Sequence, residues 1–225
     1  MPASPASGVN TITGEGLADA FDAADVVVDV TNAPSLTGGA VREFFETSTR
    51  NLLDAEASAG VGHHVALSVV GTGRLPDSTY LRGKEVQEAL IEQGPVPYSI
   101  VHATQFFEFL GGIADSLTVE GVVRVPPASI QPMSADDVAN AVGHVAVEPP
   151  LKGIVEVAGP ERFRFEEIVR RYLVAHDDPR QVITDPDARY FGAKLGELSI
   201  VPGDDAMIAT TRFEEWLAQA STQTR

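Results

Sequence analysis

The sequence predicts an α/β chain built on a doubly wound, mostly parallel sheet. Three apolar runs, 26–30, 64–70 and 98–102, are short, rich in β-branched residues and nearly continuous, as strands buried on both faces are. Stretches of helical length separate them, which is the alternation that crossover connections produce. With 225 residues, 44% of them hydrophobic and 21% charged, the chain can bury a substantial core. One domain over residues 1–225 is expected, with the sheet core in 1–125 and a C-terminal part in 126–225.

The elements follow in order. Residues 1–16 are rich in Pro, Ser, Gly and Thr and read as an irregular lead-in. Asp25 opens the strand Val26-Val27-Val28-Asp29-Val30. A helix is expected from Gly39 to Ala59, with Phe44, Phe45, Leu52 and Leu53 on its apolar side and Gly60 as its stop. His64 to Val70 forms the second strand, ending at Gly71, and a helix runs from Tyr80 to Gln93 before Gly94-Pro95. Tyr98 to His102 is the third strand, Phe106 to Leu117 a helix, and Val122 to Val125 a fourth strand of the sheet. Ser134-Ala135-Asp136-Asp137 reads as a helix cap with first-turn acids, opening a helix to Val147. Ile154 to Val157 is a strand, Phe165 to His176 an amphipathic helix, and Thr210 to Ala220 a closing helix. The Gly- and Pro-rich segment 185–205 carries no element signal.

Composition excludes several function classes. Sixteen basic against 32 acidic residues give a net charge of −16, a field that repels phosphate backbones and anionic membranes. The absence of cysteine removes disulfides, thiolate nucleophiles and thiolate-bound zinc. No apolar run reaches the length of a membrane span, and the N-terminus lacks the basic start and apolar stretch of a signal peptide. A cytoplasmic protein with a small-molecule substrate is the expectation, with no nucleic-acid or membrane partner. His63-His64 does not make a metal site, because adjacent strand residues point to opposite faces. No metal is expected.

The chemistry concentrates in Tyr80-Leu81-Arg82-Gly83-Lys84, twelve residues after Ser68. A tyrosine and a lysine one helical turn apart share a helix face. A phenol beside an ammonium can pass a proton to a carbonyl oxygen while hydride reaches its carbon. The same pair also occurs on ordinary solvated helices, and Ser68 could equally bond nearby backbone at a strand end.

The order of a Ser-ended strand, Tyr-x-x-x-Lys on the next helix and a further apolar strand resembles the short-chain dehydrogenase/reductase superfamily. Ser68-Val69-Val70-Gly71, Ile100-Val101-His102-Ala103-Thr104-Gln105-Phe106-Phe107-Glu108, Pro132-Met133-Ser134-Ala135-Asp136-Asp137-Val138-Ala139 and Val157-Ala158-Gly159-Pro160 look like its atypical, NmrA-like branch. The resemblance implies a Rossmann-like NAD(P) domain with a small C-terminal substrate lobe. It implies Tyr80 as proton donor, Lys84 on the nicotinamide ribose and lowering the tyrosine pKa, and Ser68 polarising the substrate carbonyl. Thr31, Asn32 and Ala33 match a cofactor-lining turn, and Thr104, Gln105 and Phe106 the segment flanking the nicotinamide. The cofactor implied is NADP or NAD.

Relative to that family, Met1 falls where the second strand is ending. The expectation is therefore an N-terminally truncated sheet without the glycine-rich strand-turn-helix that cradles pyrophosphate, whether by a misplaced start or a real loss. Gly14-Glu15-Gly16 has no strand before it, and Gly71-Thr72-Gly73 no helix after it. The strand at Val26–Val30 then carries an open apolar edge, which favours a homo-oligomer. Two functions stay open: an NAD(P)-dependent oxidoreductase acting on a small carbonyl or quinone-like substrate, active or inactive in this form, and a dinucleotide-sensing regulatory protein without catalysis.

Overall fold

The computed structural model describes residues 1–35 and 38–223. A 3-10 turn at Pro5–Ser7 and a short helix α1 (Leu17–Phe21) precede strand β1 (Val26–Asp29). The lead-in is thus more ordered than its composition predicts. The Asn10 side-chain oxygen accepts the backbone N–H groups of Ile12 (2.9 Å) and Thr13 (3.3 Å), tying a local turn. α1 buries Leu17 and Phe21 against Val27, Leu52, Val61 and Val96. Five residues are too few for a helical period to show in sequence.

Helix α2 (Ala40–Ala59), strand β2 (His63–Val69), helix α3 (Thr79–Gln93) and strand β3 (Tyr98–Ala103) follow at the expected places. The expected helix from Phe106 begins instead as a 3-10 turn at Phe107–Phe109 and continues as α4 (Leu110–Ser116). Beyond it come β4 (Thr118–Val119), β5 (Val122–Val125), β6 (Ser129–Ile130), α5 (Ala135–Val147), β7 (Ile154–Ala158), β8 (Phe163–Arg164), α6 (Phe165–Ala175), β9 (Gln181–Thr184), β10 (Met207–Ile208) and α7 (Phe213–Gln223).

The central sheet has five strands in the order β1-β2-β3-β7-β10. β1 pairs β2 in parallel, Val27 beside His64 and Asp29 beside Ala66. β7 and β10 are likewise parallel. This is the doubly wound α/β architecture that the alternation predicts. β1 is terminal in the order, and Val26, Val28 and Val30 are 36%, 41% and 61% exposed. One expectation is corrected: β5 is not part of the central sheet. It lies in a second sheet, antiparallel to β4 and parallel to β9. β9, with only Val182 and Ile183 apolar, gives too weak a pattern to be read from sequence. A third, two-stranded sheet joins β6 to β8. Among the described residues no helix is long and apolar enough to cross a membrane.

The chain divides into two compact units. The first comprises residues 1–68, 79–101 and 142–155, and the second residues 69–78, 102–141 and 156–225. β2, β3, α5 and β7 each pass from one unit into the other.

In the first unit α2 and α3 pack closely at Gly83. A Cβ there would stand 2.9 Å from Phe45 Cδ2 and Val41 Cγ1, so only glycine allows the approach. Phe45, fully buried, then reaches Tyr80 on one side (6.1 Å between ring centres) and Lys84 on the other (4.7 Å from Nζ to the ring centre). In the second unit the core is aromatic: Phe107, Phe165 and Phe213 are fully buried. Phe107 and Phe213 lie 5.3 Å apart, and Trp216 contacts both.

Candidate active site

The carboxyl ends of β1 and β2 form the crest of the first unit, the side on which open α/β sheets bind ligands. Asp29, the last residue of β1, is buried, and both of its oxygens are used. One accepts the Thr31 backbone N–H (2.8 Å) and the other the Gln87 side-chain amide of α3 (2.9 Å). Just beyond, Asn32 Oδ1 accepts the Ala33 backbone N–H (3.0 Å).

Tyr80 and Lys84 stand one turn apart on α3, as the spacing predicts. The Tyr80 ring packs in an apolar cluster with Ala33, Val41, Phe44 and Phe45. Burial pushes its phenol up to about 12, against a hydrogen bond with Asn32 that lowers it. The expected depression by Lys84 is absent. The Lys84 Nζ turns instead to the Leu67 carbonyl of β2 (2.8 Å) and to the Gln87 side-chain oxygen. Only 3% exposed, Lys84 is pulled down to about 8 by burial, with the charges of Asp29 and Glu88 opposing that shift. Ser68, also buried, donates its hydroxyl proton to Glu88, one further turn along α3.

The first unit thus collects Thr31, Asn32, Ala33, Ser68, Tyr80 and Lys84 around α3 and the two strand ends. Asp29, Gln87 and Glu88 complete the network, and sequence reasoning missed all three. The signal was available: an acid inside an apolar strand, and polar residues three and four positions after Lys84. Deeper on the same sheet, His64 Nδ1 meets both oxygens of Glu56 (2.8 and 2.9 Å), each side chain fully buried. Burial lowers the His64 pKa, but the Glu56 hydrogen bond and charge, with Asp29, outweigh it and hold the imidazole above its ordinary value. His63 instead shares a hydrogen bond with Ser99 Oγ (2.8 Å). The two histidines serve separate partners, and no metal-binding cluster occurs among the described residues.

Thr104, Gln105 and Phe106 lie in the second unit, beyond the end of β3. The Thr104 backbone N–H donates to the Val157 carbonyl (3.1 Å), and Phe106 bridges to Met133 and stacks on Phe109 (5.0 Å).

Residues implied for a dinucleotide can be tested for unsatisfied polar atoms. Thr31 Oγ1, Thr104 Oγ1 and Gln105 Oε1 are buried without a hydrogen-bond partner, an arrangement that favours a bound polar group. Gly38-Gly39 directly precede α2, and Gly71-Thr72-Gly73 follow β2 without opening a helix.

No protein-family model matches the chain, and no curated protein matches it in sequence. Solved structures do share its fold. A nucleoside-diphosphate-sugar epimerase from Staphylococcus aureus superposes with a TM-score of 0.62 at 14% identity, over 80% of this chain and 63% of the epimerase. The dTDP-glucose 4,6-dehydratase DesIV from Streptomyces venezuelae, solved with NAD bound, gives 0.67 at 15% identity, over 90% of this chain and 74% of DesIV. MoeE5, solved with UDP-glucuronic acid and NAD, gives 0.68 at 13% identity, over 93% of this chain and 83% of MoeE5. The chain therefore spans less than two thirds of the epimerase and more of the other two. At these identities the likeness is one of fold: a Rossmann-like α/β fold shared with NAD-bound sugar-nucleotide enzymes.

Proposed function

We propose that the chain is a dinucleotide-binding protein of short-chain dehydrogenase/reductase ancestry, and that its crest performs an NAD(P)-dependent oxidoreduction of a small carbonyl or quinone-like substrate. The observation that supports this reading is that α3 presents Tyr80 and Lys84 on either side of Phe45, while Ser68, near the end of β2, bonds Glu88 of the same helix. Thr31, Asn32, Ala33 and Lys84 would line the ribose and nicotinamide side, with Thr104, Gln105 and Phe106 as further cofactor positions. When bound, a reduced nicotinamide supplies the hydride.

Tyr80 supplies the matching proton to the carbonyl oxygen. Its phenol stays protonated to about pH 12, so it serves as an acid for reduction and is poorly set as a base for oxidation. Ser68 orients the oxygen once its hydroxyl leaves Glu88. Lys84 holds charge and donors beneath the ribose position. The fold neighbours solved with NAD support the cofactor class, and NADP stays equal with NAD as the species bound.

One observation favours a second reading. Ser68 is bonded to Glu88, Lys84 is bonded to Leu67 and Gln87, and the Tyr80 pKa is raised rather than lowered. A regulatory protein of the NmrA-like kind, sensing a dinucleotide without turnover, needs only the binding half. Fluorescence titration with NADH and NADPH tests both readings: saturable binding is expected, and none with either removes both. A Tyr80→Phe variant then separates them. The oxidoreductase reading expects a loss of carbonyl-dependent NADH consumption of at least a hundredfold, with NADH binding intact.

A further inference from the structure

In the second unit, three chain segments converge beyond the ends of β3, β6 and β7. Thr104 to Phe106 pairs with the end of β7 through the Thr104–Val157 bond, and with the segment after β6 through the Met133 N–H to Gln105 carbonyl bond (2.9 Å). β6 and β8 run antiparallel, with Ile130 beside Phe163, so Gln131 and Arg162 are the next cross-strand neighbours. Gln131, 7% exposed, donates its amide to the Gly159 carbonyl (2.9 Å) and accepts the Arg162 Nε–H (3.4 Å). Gly159 is obligatory: a Cβ there would overlap the Pro132 backbone.

The charges around Arg162 leave its fork open. Glu161, its neighbour in sequence, binds Arg212 (2.9 Å) and the Phe213 backbone N–H (3.0 Å). Glu197 pairs with Arg164, and Glu108 accepts from Trp216 and from the Ala135 backbone. No carboxylate among the described residues pairs with the terminal nitrogens of Arg162. In the same segments, Thr104 Oγ1 and Gln105 Oε1 are buried at 1% and 6% residue exposure with no partner. In a chain of net charge −16, an anion approaching the molecule is repelled at long range unless a local cation is presented to it. An arginine fixed through Nε leaves two parallel N–H donors for a planar or tetrahedral oxyanion.

We propose that Arg162, positioned by Gln131, is a recognition site for an oxyanion, a carboxylate or a phosphate, on a small molecule. Gln131 acts through Arg162 and is a positioning residue. Thr104 and Gln105 provide unsatisfied polar groups in the same set of segments.

The test is side-chain NMR of the arginine Nε–H groups in the intact chain, titrated with sodium phosphate or with sodium acetate at constant ionic strength. Arg162 is expected to shift to saturation at millimolar probe. Arg82 and Arg170, exposed like Arg162 but with no side chain holding Nε among the described residues, should drift linearly. Arg162→Lys keeps the charge and loses the fork, and should weaken saturable binding, read by isothermal titration calorimetry, at least fivefold. Gln131→Met should weaken it severalfold with the Arg162 signal broadened. If that variant does not fold, Arg162→Lys carries the test. Saturation by phosphate assigns a phosphorylated ligand and saturation by acetate a carboxylated one. A linear Arg162 response to both, or unchanged binding in Arg162→Lys, overturns the site. Displacement of the probe by NADH also overturns it, by giving Arg162 to the dinucleotide. Saturation in a chain that binds neither NADH nor NADPH upholds the anion site and counts against the dinucleotide reading instead.

Discussion

The two compact units differ in what they bury. In the first, Asp29, Glu56, His63, His64, Lys84 and Glu88 are all under one-tenth exposed, set around α2, α3 and the sheet. In the second, the buried polar residues are chiefly uncharged (Thr104, Gln105, Ser129, Gln131 and Ser134, with His102), and its interior is aromatic. Three strands of one sheet run through both units, so the contrast does not come from the sheet. Burying ionised groups is expensive unless they are paired, and a stable core does not need them. The first unit therefore buries a network of ionisable groups, while the second buries mainly aromatic and uncharged polar ones.

Removing an aromatic anchor from the second unit should have the largest effect. Phe213→Ala is expected to cost about 3–5 kcal/mol in denaturant unfolding, with little dependence on pH. A pH-dependent loss of that size would mean the two interiors are not distinct.

Breaking the Glu56–His64 pair comes next. Glu56→Ala leaves His64 buried without its partner and should cost about 3 kcal/mol near neutral pH. The sign follows from the direction of the shift. A folded-state His64 held above its ordinary value contributes stability that is full below about pH 6.5 and is lost as pH rises through the raised value. Burial also raises Glu56, more than His64 lowers it, which gives the same sign from above its ordinary range. Wild-type stability should fall as pH rises through this window, and in the variant, where burial is left to lower His64, the slope should reverse.

Lys84 has the opposite sign. Its folded value of about 8 lies below the ordinary lysine value of 10.5, so the unfolded chain binds more protons between the two. Stability should rise from about pH 8 towards 10.5, by an amount on the order of 3 kcal/mol. Lys84→Met should remove that rise in pH-dependent thermal melts. An identical slope in both proteins would mean that Lys84 is solvated.

The smallest effect concerns the open edge. Val26, Val28 and Val30 present apolar surface on a terminal strand without the charges that usually blunt one. Val28→Lys should change monomer stability by less than about 0.5 kcal/mol. It should lower self-association in sedimentation experiments if that edge pairs two copies.

Much of this was legible in sequence. The runs at Val26, His64, Tyr98 and Ile154 became four strands of the central sheet because continuous β-branched segments between helices fit a parallel sheet. The Val122 run looked the same, yet it pairs with β4 and β9, and strand partners are not encoded in a local pattern. The spacing of Tyr80 and Lys84 gave their shared helix face. It could not give the direction of the Lys84 head, because Gln87 and Leu67 compete for it only once α3 lies on β2. For the same reason the tyrosine pKa moved opposite to expectation: burial by Phe45 and its neighbours outweighs a charge that points elsewhere. Arg162 stands in a charged run that carries no signal of its partner in sequence, and only the β6–β8 register places it beside Gln131.

Lys84 is buried and bonded to protein partners, and the proposed function requires it to exchange them for a ligand. Carbon-13 NMR of its ε-methylene, followed through pH with and without saturating NADH, measures this directly. We expect titration near pH 8 in the free chain, and an upward shift with NADH as ribose hydroxyls accept from the ammonium. Titration near 10.5 in the free chain, or the same midpoint with and without NADH, would contradict it.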